Sequence, residues 1–274
     1  MEHRPIAYQV YSARKEAEKD LLSVLKQLKA MGYDGVEFAG FYGHTAEEVK
    51  AMLDETGLVA ISSHVPLTAM LEDMDGQIAF HKTIGCKYMA IPHVGPEYRA
   101  DGEKFAELIR LEWTLGKKCK ENGIQLLYHN HDFEFMKVGA LYSLDFMYQA
   151  VCRDLLKPEF DTCWIRYAGE DPVKYLRNYA GDVQIIHLKD YVGIKSDRPP
   201  YALIGVENSA PAGGDMPFMF KPIGYGCQDV KAIVEAGIAG GAQWFIVEQD
   251  DSPERPALES AKMSIGTLMN LGLK

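Results

Sequence analysis

The sequence predicts an α/β protein of the closed (β/α)8 barrel class, and three observations carry that prediction. A glycine followed by a short apolar run that ends in a polar residue recurs along the chain. Amphipathic helical stretches separate the recurrences. The length, 274 residues, suits a barrel of this kind, for which roughly 250 residues is usual.

Taken in order, the first strand is "IAYQV" (6–10), followed by a helical period over 15–31. "MGYDGVEF" (31–38), "TGLVAISSH" (56–64) and "IGCKYMAIPH" (84–93) give strands 2, 3 and 4, with helices expected near 45–56, 69–84 and 98–122. "NGIQLLYHNH" (122–131) is strand 5, "KPEFDTCW" (157–164) strand 6, "DVQIIHLKD" (182–190) strand 7 and "GAQWFIVEQD" (241–250) strand 8. The remaining helices are placed near 141–153, 171–179, 228–239 and 255–270. Glycine is expected where a helix ends in the left-handed conformation, and these apolar runs are short enough for buried parallel strands. A doubly wound open sheet is the competing architecture, but no GxGxxG turn or GKS/GKT loop supports a nucleotide-binding version of it. The whole chain, 1–274, is read as one domain. Residues 191–226 are rich in Gly and Pro without a helical period; following strand 7, this long loop is expected to overhang the site as a lid.

Composition narrows the function classes. With 47% hydrophobic and 25% charged residues the chain can bury a substantial core, and a formal net charge of −10 argues against a nucleic-acid or anionic-membrane surface. Five cysteines, at 86, 119, 152, 163 and 227, form no CxxC pair, which points to reduced, buried thiols rather than a structural zinc. The N-terminus lacks the apolar core of a secretory signal, and no apolar run reaches membrane-spanning length. A soluble, cytoplasmic protein is expected; a homo-oligomer is compatible with the sequence.

The strand ends concentrate the chemistry. Glu37 ends strand 2, His64 strand 3, His93 strand 4, His129 and His131 strand 5, Asp161 strand 6, His187 strand 7 and Glu248 strand 8. In a barrel these ends share one rim, and converging imidazoles and carboxylates are natural ligands of a divalent metal. Mixed N/O donors suit Mn, Zn, Co or Fe better than Ca. Ordinary structural readings stand beside each assignment. His64 and His93 divide between substrate contact and hydrogen-bonded core; Asp161 could cap a turn; Glu248 could belong to a buried ion pair. His129 and His131 share a face by strand alternation, so either could ligate. Lys189, two residues beyond His187 on the same face, is an ion-paired lysine or an acid/base group. Trp164 is core, or a platform on which a sugar stacks.

"FDTCW", "HLKD" and "FIVEQD" of strands 6 to 8, with "YHNHDFEF" (128–135), "GYDGVEF" (32–38) and "GYGCQDVKAIVEAG" (224–237), resemble the sugar phosphate isomerase/epimerase family, the xylose isomerase-like TIM barrels. The resemblance implies one divalent metal bound by a Glu of strand 5, an Asp of strand 6, a His of strand 7 and a Glu of strand 8. Residue by residue this gives Asp161, His187 and Glu248. Strand 5 departs from the pattern, because His129 occupies the position of the metal-binding Glu. The expected ligand set is therefore His129, Asp161, His187 and Glu248, with His131 as the alternative on strand 5, around Mn or Zn first and Co, Mg or Fe next. The family's epimerases use two carboxylates on opposite faces of the substrate, and this chain keeps one of the pair.

The resemblance implies an isomerase or epimerase acting on a small-molecule sugar, sugar phosphate or polyol-derived substrate, by proton abstraction next to a metal-bound carbonyl. Glu248 or a nearby histidine is the expected base, with Lys189, His131 and Glu134 as further acid/base candidates and His64, His93 and Trp164 as substrate contacts. A lyase of the inosose dehydratase kind is the alternative, since elimination needs only one base. Abasic-site endonucleases of the same superfamily need several metals and a cationic face, and a non-catalytic sugar-binding protein would have no use for this ligand set.

Overall fold

The computed structural model describes residues 2–195 and 217–274. Eight parallel strands close into a barrel: strand 1 (Ile6–Gln9), strand 2 (Gly35–Ala39), strand 3 (Val59–His64), strand 4 (Tyr88–Ile91), strand 5 (Gln125–His129), strand 6 (Leu156–Asp161), strand 7 (Ile185–Leu188) and strand 8 (Trp244–Val247). Each pairs with its neighbours in sequence, and strand 1 closes on strand 8 with Ala7 opposite Ile246. The glycines that announce strands 2, 3, 4, 5 and 8 (Gly32, Gly57, Gly85, Gly123 and Gly241) all have positive φ, the conformation for which glycine carries no Cβ penalty.

The helices follow the apolar periodicity. Residues Arg14–Met31 bury Ala17, Leu21, Val24, Leu25 and Leu28 against the strands, and Ala46–Thr56 opens on a capping box between Thr45 and Glu48, an arrangement worth about 1 kcal/mol. Three boundaries differ from expectation. The helix expected over 69–84 is two, Leu67–Glu72 and Met74–Thr83, because Asp73 leaves helical geometry and caps the second through Gly76 N at 2.9 Å. The helix expected from 98 begins at Phe105, after a short turn at Pro96–Tyr98. Strand 6 stops at Asp161, where the chain turns directly into the helix Thr162–Ala168.

Inside the barrel, Ala7, Ile61, Ala90, Leu127, Ile185 and Ile246 form a closed apolar layer that plugs the lower half. The larger core lies between strands and helices. The segment after strand 7 is less irregular than its composition implies: Asp190–Val192 pairs antiparallel with Met219–Lys221. Asp190 fastens its return by accepting from the backbone N–H groups of Tyr191, Gly224, Gly226 and Gln228 at 2.9–3.1 Å. The centre of the expected lid, 196–216, lies outside the described residues. Among the described residues no helix is long and apolar enough to cross a membrane.

Candidate metal and active site

Above the apolar layer the inward ladder turns polar, and the period of two dictates which residues arrive there. Two positions beyond Ala7, Leu127, Ile185 and Ile246 stand Gln9, His129, His187 and Glu248; two further stand Tyr11, His131, Lys189 and Asp250. A cavity of about 360 Å³ opens at this end, and His64, His93, His129, His131, Lys189 and Glu248 are in its wall.

One ligand atom from each of His129, Asp161, His187 and Glu248 lies within 4.8 Å of the others, and all four residues are buried. Asp161 divides its carboxylate. Oδ1 caps the following helix, accepting from Cys163 N at 2.8 Å and Trp164 N at 3.1 Å, while Oδ2 faces Lys189 Nζ at 3.0 Å and His129 Nε2 at 3.7 Å. The cap and the site use different oxygens, so the two sequence readings of Asp161 are compatible. His187 donates from Nδ1 to Glu248 Oε2 at 2.8 Å. Lys189, 2% exposed, brings its ammonium to 2.9 Å from Glu248 Oε2 and 2.8 Å from Asp250 Oδ2, so one cation serves three carboxylates.

A second pair of carboxylates lies one layer lower. Glu37 Oε2 accepts from Gln9 Nε2 at 2.7 Å and stands 2.7 Å from His187 Nε2 and 3.2 Å from His64 Nε2. Glu159 Oε2 is 2.9 Å from His64 Nε2 and 3.3 Å from His129 Nδ1. Both carboxyls are fully buried.

These contacts set the protonation states. Burial would raise the Glu248 carboxyl, yet Lys189 and His187 hold it well below the usual range, as an anion. Burial would lower Lys189, but Asp161, Asp250 and Glu248 hold it well above its usual value. Burial raises Asp250 to about 7 against the pull of Lys189. Burial, with His93 and Lys189, keeps His131 well below the usual imidazole range, and burial with His187 and His64 does the same to His129. Both are therefore neutral at pH 7 and have a ring nitrogen with a lone pair.

Two sequence-nominated residues, Glu134 and Trp164, sit differently from expectation, and His93 lies in the cavity wall. Glu134 lies behind the cavity wall, accepting from His131 N at 2.8 Å and from Tyr128 Oη at 2.7 Å, and burial raises it to about 8. Trp164 does not reach the cavity: because strand 6 ends at Asp161, the indole belongs to a helix, fully buried with its ring stacked on Phe218 at 5.9 Å. That packing corrects the expectation of a sugar platform. His93 is half-buried in the cavity wall, with Arg99 Nη2 3.4 Å from its Nε2. Sequence reasoning listed Glu37 among the strand ends without assigning it a ligand or catalytic role, and passed over Glu159 and Asp250. The signal was available, since Glu159 precedes Asp161 by two and Asp250 follows Glu248 by two, on the same inward ladder.

The residues fit a divalent ion. One ligand atom from each of the four lies close enough to the others to surround a common centre, and all four side chains are buried, where three carboxylates gathered around the single ammonium of Lys189 leave negative charge for a cation to balance. Two imidazoles and two carboxylates are a suitable set for a first-row metal.

The family model of the xylose isomerase-like TIM barrel matches residues 25–266, and the chain belongs to that family. The inosose dehydratase of Geobacillus kaustophilus (strain HTA426) is 25% identical over 256 residues, which span 84% of this chain and 80% of that protein. A sugar phosphate isomerase/epimerase from Parabacteroides distasonis ATCC 8503 superposes with a TM-score of 0.75 at 21% identity, covering 98% of this chain and 94% of that one. The IolI protein, solved with a zinc atom, superposes with a TM-score of 0.73 at 14% identity over 97% of each chain. These structural likenesses establish the fold.

Proposed function

We propose that this chain is a metal-dependent lyase that removes water from a keto-polyol or keto-sugar. The observation that carries the reading is the contact of an anionic carboxylate with a cationic ammonium, Glu248 Oε2 to Lys189 Nζ at 2.9 Å, in the wall of one cavity. One divalent ion, held by His129, Asp161, His187 and Glu248 and most simply Mn or Zn, supplies Lewis acidity to the substrate carbonyl when bound.

The chain's own residues then divide the proton work. Glu248, or neutral His131 beside it, takes the proton from the carbon next to the carbonyl. The electron pair left behind forms the new C=C bond as the neighbouring C–O bond breaks. Lys189 delivers a proton to the departing hydroxyl, which leaves as water, and Asp250 at 2.8 Å keeps the lysine oriented while its proton is replaced. Acid and base on one side of the cavity suit an elimination. His64 and His93, on the opposite strands of the wall, contact substrate hydroxyls. The inosose dehydratase name of the relatives supports the same outcome.

Isomerisation or epimerisation is the second reading, supported by the likeness to a sugar phosphate isomerase/epimerase. It needs the proton returned to carbon, and His131 is the group placed to return it. The test is to incubate the metal-loaded protein with keto-inositols, keto-sugars and sugar phosphates and follow the products by mass spectrometry. Loss of one water supports the lyase, a product of unchanged mass the isomerase. No turnover of any of them overturns both readings.

A further inference from the structure

The deeper carboxylates have no role in the chemistry above, and their surroundings are unusual. Glu37 and Glu159 sit at 0% exposure, and none of their partners among the described residues is a lysine or arginine. The upper carboxylates have Lys189; these face Gln9, three imidazoles and each other. We propose that the barrel contains a second seat for a divalent ion one layer below the first, formed by Nε2 of His64, Nδ1 of His129, Nε2 of His187 and a carboxylate oxygen of Glu159, with Glu37 alongside.

Geometry supports a common centre. Ligand atoms of His64, His129, Glu159 and His187 fall within 4.8 Å of one another. Around Glu159 Oε2 the three imidazole nitrogens stand at 2.9, 3.3 and 3.5 Å. Four ligands at tetrahedral corners, each about 2.0–2.1 Å from zinc, are roughly 3.3 Å apart. The second observation is what these atoms lack. His129 Nδ1 and His187 Nε2, on residues 2% and 0% exposed, have no hydrogen-bond partner. Glu37 Oε2 stands 2.7 Å from His187 Nε2 and 3.2 Å from His64 Nε2, so a second carboxylate closes the same side of the seat. His187 also commits Nδ1 to Glu248.

The two seats share His129 and His187 through opposite ring nitrogens, and a neutral imidazole has one lone pair for one ion. They are therefore alternative seats for a single ion. Glu159 and His187 do not line the cavity, so an ion in the lower seat is shielded from substrate and from chelators.

The test uses the whole chain with the upper carboxylates neutralised, D161N/E248Q; asparagine keeps the helix cap. Zinc binding is measured by equilibrium dialysis and metal analysis, and the ligands by X-ray absorption. The expected result is one zinc per chain in D161N/E248Q with three imidazoles around it, weakened at least a hundredfold when E159Q is added. A D161N/E248Q chain that is folded by circular dichroism and holds no zinc overturns the seat, as does a zinc shell with two imidazoles or fewer. So does zinc binding that E159Q leaves unchanged, which would mean that protons alone fill the layer. If D161N/E248Q does not fold, D161N alone takes its place under the same criteria: a folded D161N chain must hold one zinc with three imidazoles around it, weakened at least a hundredfold by E159Q, and zinc binding that E159Q leaves unchanged overturns the proposal. No substrate enters these measurements, so the seat and the proposed lyase activity stand or fall separately.

Discussion

Replacing Lys189 with methionine is the perturbation whose effect the structure sets most sharply. The ammonium lies 3.0, 2.9 and 2.8 Å from carboxylate oxygens of Asp161, Glu248 and Asp250. At an effective dielectric constant of about 20, each such contact is worth about 6 kcal/mol of Coulomb attraction, most of it offset by the cost of burying the charges. Removing one partner from such a group strands the others, and the net loss expected is about 3–5 kcal/mol. Protonation of the stranded carboxylates limits that loss. Their folded-state pKa values rise above the unfolded ones, so the variant loses stability as pH rises, and the deficit should be larger at pH 8 than at pH 5. The assay is urea denaturation of the chelator-treated parent and K189M proteins at both pH values. In turnover, loss of the proton donor should cost roughly a hundredfold to ten-thousandfold, with metal retained. Equal stability at pH 8 would refute the electrostatic account of the cluster, and turnover within tenfold of the parent would refute Lys189 as the acid.

Three further outcomes follow from particular contacts. Glu134 is raised from its ordinary 4.5 to about 8 by burial, so the folded state keeps a proton that the unfolded state releases; stability falls as pH rises from 4.5 to 8 and levels off above. At 1.36 kcal/mol per pH unit the span is at most about 5 kcal/mol, and E134Q should remove that part of the slope in denaturation curves taken across it. A Cβ on Gly226 would overlap Asp190 Oδ1 and stand 2.5 Å from Tyr191 O, so G226A should lower stability by about 1–3 kcal/mol, read as a shift in the denaturation midpoint at constant m-value. Exhaustive chelation should abolish loss of water from substrate, and Mn or Zn should restore it; unchanged turnover in the chelated protein would remove the metal from the account.

The barrel was legible because strands 2, 3, 4, 5 and 8 combine a helix-stopping glycine, a buried apolar run and a polar terminus, three local signals that agree. Strand alternation paired His129 with His131 and His187 with Lys189, and the strand ends brought Asp161 and Glu248 to the same rim. What escaped were residues whose meaning depends on where a strand stops or what lies across the barrel. Trp164 was misplaced because "EFDTCW" does not reveal that Asp161 caps a helix and ends strand 6. Glu159 looks like an ordinary charged strand residue until strands 2, 3, 5 and 7 close around it and bring Glu37, His64, His129 and His187 to its carboxylate. Glu134 is close to the histidines in sequence, yet a short turn at Phe133–Phe135 carries it behind the wall.

The central claim is that Glu248 and the residues around it take a proton from the carbon beside a carbonyl. Its most direct test is deuterium incorporation from heavy water into keto-inositols and keto-sugars, or into their dehydration products, with the metal-loaded parent and the Glu248→Gln variant compared by mass spectrometry. The account predicts incorporation by the parent and a loss of at least a hundredfold in the variant. Incorporation by the variant at the parent rate would contradict it.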